Sequence, residues 1–316
     1  MTFFIELARR ATRLRAIPLV ALATVFGACN ATDNLTSTSE VSDTPADVPA
    51  AAEPTDVSLS STFRGGIAIG YFGMPTSIYG AVYNGAVRNI YPSYLKAELA
   101  AIKNRGGKII LSLAGHEKYL KTSDGRFSLT KWKAQVARYR NVDFSSYIKD
   151  GTVIANKLID EPNDYHNWGS PISGSTLEEM ARYSKSLYPG LPTLVRAEAS
   201  YLAKFSTQYR YLDGAWAQYL TRKGTASDFI KRNVADAQKK GLSLVTGLNV
   251  THGGPNRTQM SASLVKSAGS TLLNSSYPCA FMSWDYKSSY TSGSIGDAMR
   301  YLSSMAKART TKSCHS

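Results

Sequence analysis

Between residues 64 and 308 the chain alternates short apolar runs with stretches of helical periodicity, and few folds accept that order. The runs lie at 66–72, 86–90, 108–114, 153–159, 193–198, 212–218, 242–249 and 280–284. Their bodies are Ile, Leu, Val, Ala and Gly without polar alternation, as expected of strands covered on both faces. Helical stretches fall at 94–104, 129–139, 176–187, 201–205, 226–240, 259–273 and 294–308. Segments before 86 and over 143–150 look irregular. In 94–104, Leu95, Leu99 and Ile102 share one face and Gly106-Gly107 ends the helix. Thr225 or Ser227 caps 226–240, which Gly241 closes. Eight strands and about seven helices in roughly 250 residues predict a (β/α)8 barrel, the TIM-barrel architecture. An open doubly wound sheet would carry a Gly-rich phosphate turn after its first strand. Gly70-Tyr71-Phe72-Gly73-Met74 is not such a turn, and no P-loop occurs elsewhere.

The residues ahead of the barrel differ in kind. Arg9, Arg10, Arg13 and Arg15 precede an apolar run at 16–28 that is too short to span a bilayer, so residues 1–28 read as an export signal. Val25-Phe26-Gly27-Ala28-Cys29 resembles the lipobox of bacterial lipoproteins. That resemblance implies lipidation of Cys29, a membrane anchor and residence in the cell envelope. Ordinary cleavage after Ala28, with secretion, is the alternative. Residues 29–60, rich in Ser, Thr, Ala and Pro and devoid of Lys and Arg, read as a tether. Residues 61–316 form the single domain. Cys279 and Cys314 remain, and in an oxidising compartment they are expected to pair and pin the carboxy-terminal tail.

With 33 basic and 16 acidic residues, the domain carries a formal charge of +17. This favours anionic partners such as acidic polysaccharide or lipid headgroups, and export argues against nucleic acid. The four histidines, His116, His166, His252 and His315, lack ligand spacing, so no metal or cofactor is expected. There is no G-x-S-x-G elbow either.

In a barrel of this kind chemistry is built at the carboxyl ends of the strands. Those ends hold Tyr71, Ser112 and His116, Asp160 and Glu161, Arg196 and Glu198, Trp216 and Gln218, Asn249 and His252, and Trp284 and Asp285. Polar and aromatic residues are thus segregated from the apolar strand bodies. Two carboxylates across a cleft lined by flat rings suit glycosidic bond cleavage. One acid protonates the leaving oxygen, and the other attacks, stabilises charge or activates water. Trp168, just past the fourth tip, adds a further ring.

Asp160-Glu161-Pro162-Asn163 resembles the Asn-Glu-Pro end of the fourth strand in the large clan of retaining β-glycosidases. That resemblance implies an acid/base role for Glu161. The sequence departs from the pattern in carrying Asp160 for Asn and in having no glutamate over 242–254, where the clan keeps its nucleophile. Gly70-Tyr71-Phe72, Ser112-Leu113-Ala114-Gly115 and Met282-Ser283-Trp284-Asp285 are similar to the first, third and eighth strands of chitinase-type barrels. The expected catalytic set is Glu161 with Glu198, then Asp160 and Asp285. Tyr71, His116, Trp168, Arg196, Trp216, Gln218, Asn249 and Trp284 are expected to bind substrate. A barrel that binds glycan without cleaving it is the alternative. Strict strand alternation offers two arrangements: Glu161 and Lys157 inward together, or Asp160 inward with Lys157 among the helices.

Overall fold

The computed structural model describes residues 65–315; the expected signal and the whole of the expected tether, with Cys29, lie outside the described residues. Eight parallel strands close into a barrel in chain order. They are β1 (Ala68–Phe72), β2 (Gly85–Arg88), β3 (Lys108–Leu111), β4 (Val153–Asp160), β5 (Thr193–Arg196), β6 (Gly214–Tyr219), β7 (Ser243–Leu248) and β8 (Ala280–Ser283). β8 pairs with β1 through Ala68 opposite Ala280 and Tyr71 opposite Ser283. The helices are α1 (Pro92–Asn104), α2 (Leu129–Ala137), α3 (Ser145–Lys149), α4 (Tyr165–Trp168), α5 (Gly174–Leu187), α6 (Ala199–Ala203), α7 (Ala226–Lys239), α8 (Ala262–Asn274) and α9 (Gly293–Lys307). The fold is the (β/α)8 barrel. Of the two cap candidates for α7 it is Thr225 whose hydroxyl accepts from the Asp228 N–H, at 3.1 Å. The short α3 and α4 stand where the sequence shows no period.

Apolar side chains sort into two layers. Ala68, Val87, Ile110, Ala155, Leu194, Trp216, Val245 and Met282 form one cluster inside the barrel. Their strand neighbours, such as Ile69, Ile109, Leu158 and Leu244, pack outward with Leu95, Leu99 and Ile102 of α1 and equivalent helical residues. The interior is filled unevenly. At Gly85 a Cβ would come within 2.6 Å of the Met282 Cε, so bulk from β8 occupies the space that β2 leaves.

β4 breaks the alternation. Its pairing with β5 shifts register between Lys157 and Ile159. Asn156 faces outward, its amide donating to the Ser184 hydroxyl of α5 at 3.0 Å. Lys157 is inside, its ammonium 4.9 Å from the centre of the Phe72 ring and 3.6 Å from Asp160 Oδ2. Leu158 and Ile159 both join the outer layer. Neither arrangement expected from strict alternation is therefore present: the bulge inserts one outward residue and turns both Lys157 and Asp160 inward. Backbone carbonyls along this stretch find indole donors. Trp132 Nε1 donates to Leu158 O at 2.8 Å, and Trp168 Nε1 donates to Asp160 O at 3.0 Å.

At the opposite end of the barrel Cys279 and Cys314 form the expected disulfide, with Cα atoms 5.3 Å apart. The Ser243 hydroxyl donates to the Cys314 carbonyl at 2.8 Å, fixing the tail under β7.

Candidate active site

A cavity of about 1090 Å³ opens over the carboxyl ends of β4 to β8. Asp160 and Glu161 from β4, Arg196 and Glu198 from β5, Trp216 and Gln218 from β6, Asn249 from β7 and Trp284 from β8 line it. These eight predicted site residues are brought together by the fold.

Arg196 is the hub. It is buried, its Nη1 is paired with Asp160 Oδ1, and its Nη2 donates to Gln218 Oε1 at 2.9 Å. The guanidinium lies 4.3 Å from the Trp284 ring centre and 5.7 Å from that of Trp216, a two-sided aromatic enclosure for the charge. Burial pushes the Asp160 carboxyl up, but the charges of Lys157 and Arg196 outweigh it, and the group is held below the usual carboxylate range. Lys157 is pulled down by burial, with Asp160 opposing. Asp160 is thus an ionised group clamped from below and from the side.

Glu161 differs from its neighbour. Its side chain is 56% exposed, and Oε1 lies 3.5 Å from Arg196 Nη1. Its backbone sits at φ 38°, in the left-handed region that non-glycine residues rarely occupy. Several hydrogen bonds hold it there. Its N–H donates to Arg196 O at 2.9 Å, while its carbonyl accepts from Asp164 N at 2.8 Å and from Trp168 Nε1 at 3.1 Å. Pro162 follows directly, so the chain leaves the strand abruptly and presents this carboxylate to the cavity.

Glu198 stands just before α6, one strand over. Lys223 Nζ lies 2.9 Å from one carboxylate oxygen and Arg232 Nη2 3.5 Å from the other. Burial raises its pKa, but the attraction of Lys223 and Arg232 prevails and the net shift is downward. Lys223 also donates to Gln218 O at 3.0 Å, which joins the Glu198 pair to the Arg196 hub.

Four expected site residues fall elsewhere. Tyr71 is fully buried in the outer layer, its ring against Tyr83 and Tyr290, because its place in β1 points it at the helices. Trp168 is also fully buried; it braces the backbone of Asp160 and Glu161 and offers no face to a ligand. Asp285 does not line the cavity and accepts the Thr251 hydroxyl at 2.6 Å. His116 caps a 3-10 turn (Glu117–Leu120), its Nδ1 accepting from Lys118 N at 3.2 Å. The next residue, Glu117, lines the cavity instead and accepts from Asn167 Nδ2 at 2.7 Å. An acid one step past a strand-tip histidine was the available signal for it. Among the described residues no three His, Cys, Asp or Glu side chains gather as metal ligands do.

No family model matches the chain, and no curated protein does. Solved structures match in fold. An endo-β-1,4-glucanase from Xanthomonas axonopodis pv. citri superposes with a TM-score of 0.51 at 11% identity, over 78% of this chain and 97% of that one. An intracellular xylanase from Thermoanaerobacterium saccharolyticum gives 0.51 at 13% identity, over 71% and 87%. A variant of that xylanase in complex with xylotetraose gives 0.50 at 12% identity, over 72% and 88%. The structural neighbours are glycoside hydrolases, and the similarity to them is one of barrel architecture.

Proposed function

We propose that the chain is an exported glycoside hydrolase that cleaves a polysaccharide, with Glu161 as acid/base and Glu198 as its ionised partner. The observation that carries this reading is Glu161 itself. A strained, solvent-reaching carboxylate is aimed into a cavity beside two tryptophans, next to a carboxylate that cations keep charged against the pull of burial. A glycan lying across the cavity would place its leaving oxygen at Glu161, which gives it a proton as general acid. Glu198, held anionic by Lys223 and Arg232, attacks or orients water on the other side of the sugar. Asp160 acts through Arg196: it fixes the guanidinium that reaches Glu161, and is a positioning residue. That the structural neighbours include a glucanase and a xylanase supports a glycan in such a cavity. The disulfide and the basic-then-apolar amino end support export, with Cys29 as the anchor.

A second reading, a barrel that binds glycan without hydrolysing it, has its own observation. Asn249 follows β7 directly, its Oδ1 accepting from His252 N at 2.9 Å, so no carboxylate stands there, and Glu198 is tied to two cations. One experiment decides between them. The purified chain is incubated with a panel of neutral and acidic glycans, new reducing ends are measured, and Glu161→Gln and Glu198→Gln are run in parallel. Turnover lost in both variants supports the assignment, and turnover surviving both removes it. Saturable binding without turnover on any glycan favours the second reading. Comparing Cys29→Ser with the unaltered chain in membrane fractions tests the anchor.

A further inference from the structure

Charge around the cavity is divided between its two sides. On the β3–β4 side the acids already have partners: Asp160 is clamped by Arg196, Asp164 caps α4 through its contacts with His166 N and Asn167 N, and Glu117 holds Asn167. On the side built by the loops after β5, β6 and β7, Lys204, Arg222 and Arg257 are exposed. Among the described residues none of these three makes an ion pair or a side-chain hydrogen bond.

Arg222, His252 and Arg257 also line a side pocket of about 390 Å³ that shares them with the main cavity. Its wall is a built feature. The Thr221 N–H donates to Gly253 O at 2.9 Å, tying the loop that carries Arg222 to the loop that carries Arg257. At Gly253 a Cβ would lie 2.1 Å from the Asn249 carbonyl oxygen, so the two loops and the β7 tip are packed backbone to backbone. Asn256 and Arg257 occupy left-handed backbone in succession, at φ 53° and 61°, in a turn closed by the Gly254 N–H to Thr258 O bond at 2.9 Å. Two arginines line this small pocket and no carboxylate does, so an anion there would meet positive charge that nothing in the pocket lining neutralises. A guanidinium fork matches a carboxylate or sulfate with paired hydrogen bonds.

We infer that this side pocket seats an anionic substituent of the substrate, held between Arg222 and Arg257, so that the polysaccharide is an acidic one. The inference rests on the reading that the main cavity takes a glycan chain. A carboxylate and a sulfate ester share the required chemistry, and the test distinguishes them.

Titration calorimetry on the full chain carrying Glu161→Gln compares oligouronates, sulfated oligosaccharides and neutral oligosaccharides of equal length, at low and high salt. Acidic ligands are expected to bind about tenfold or more tightly than neutral ones at low salt, with the advantage shrinking as salt screens it. Adding Arg222→Gln and Arg257→Gln together should bring acidic ligands to the neutral level while leaving neutral affinity and the melting temperature unchanged. Preference for the uronate or for the sulfate names the anion. Equal binding of acidic and neutral ligands, or a preference that survives the double substitution, overturns the inference. Turnover of neutral glycans without any acidic preference sinks the side pocket and leaves glycoside hydrolysis standing. Acidic preference without turnover in the unaltered chain upholds the pocket and sinks hydrolysis. Binding of neither class removes both.

Discussion

Glu161 and Asp160 are adjacent, yet the fold gives them opposite settings. Asp160 is half-buried between two cations, whereas Glu161 reaches solvent from left-handed backbone. Their substitutions should therefore separate function from stability. Glu161→Gln keeps the side chain's size and the hydrogen bonds of its backbone, so folding should be unaffected. On a cleaved glycan kcat should fall by about 10²–10⁴, the range of a positioned general acid, and circular dichroism melting checks that the fold is intact. Arg196→Met acts the other way. It leaves Asp160 with the buried Lys157 alone and removes the donor to Gln218, so urea unfolding should show a loss of about 3–5 kcal/mol. Adding Asp160→Asn to that variant should recover part of the loss, since the uncompensated charge goes too.

At the scale of elements the decisive object is β4. Its bulge sends Lys157 and Asp160 to the same side, and two indoles accommodate the backbone that the bulge disturbs. Trp132→Phe removes the donor to Leu158 O while keeping an aromatic body. It should cost about 1–3 kcal/mol in denaturant melts, the price of a buried carbonyl left unpaired. A larger drop in activity than Trp132→Tyr produces would mark a shift of the strand tip. The strand count and order could be read from the chain because buried parallel strands are continuous apolar runs, and the long helices show their period. α3 and α4 span five and four residues, too few for a period to appear. The bulge left no trace either, since Leu158 and Ile159 are equally apolar on either face. Tyr71 and Trp168 are expected in the cleft only because they stand at or just past strand tips, whereas Tyr71 packs toward the helices and Trp168 is sealed in α4. A residue at a strand tip announces its chemistry, but which way it faces depends on local register. Glu117 was missed for a related reason: a 3-10 turn beyond β3 presents it to the cavity in place of His116.

Across the whole molecule several carboxylates that bind elements together are held below their ordinary pKa. Hydrogen bonds from Arg182 and Lys133 take Glu179 of α5 down to about 2, linking α5 to α2. Asp160 and Glu198 are lowered as well, against the pull of burial. Each binds protons more readily when unfolded. Their stabilisation is therefore complete above the unfolded carboxylate range, near pH 4 to 4.5, and is lost as pH falls through the lower folded values. The melting temperature should be flat over this contribution at neutral pH and decline below about pH 4.5. Glu179→Gln should flatten part of that decline, and an unchanged slope would count against the link. The cavity floor has a further consequence. Of the four tryptophans in the chain, Trp216 and Trp284 line the cavity against Arg196, while Trp132 and Trp168 are sealed in the outer layer. The protein thus carries its own optical probe. Trp216 has no exposed surface, so it is the half-buried Trp284 that reports: a ligand displacing water from that indole should shift the emission maximum and shield it from iodide quenching. The sealed pair supplies a constant background, so occupancy can be followed in an unlabelled sample before any substrate is known to be cleaved.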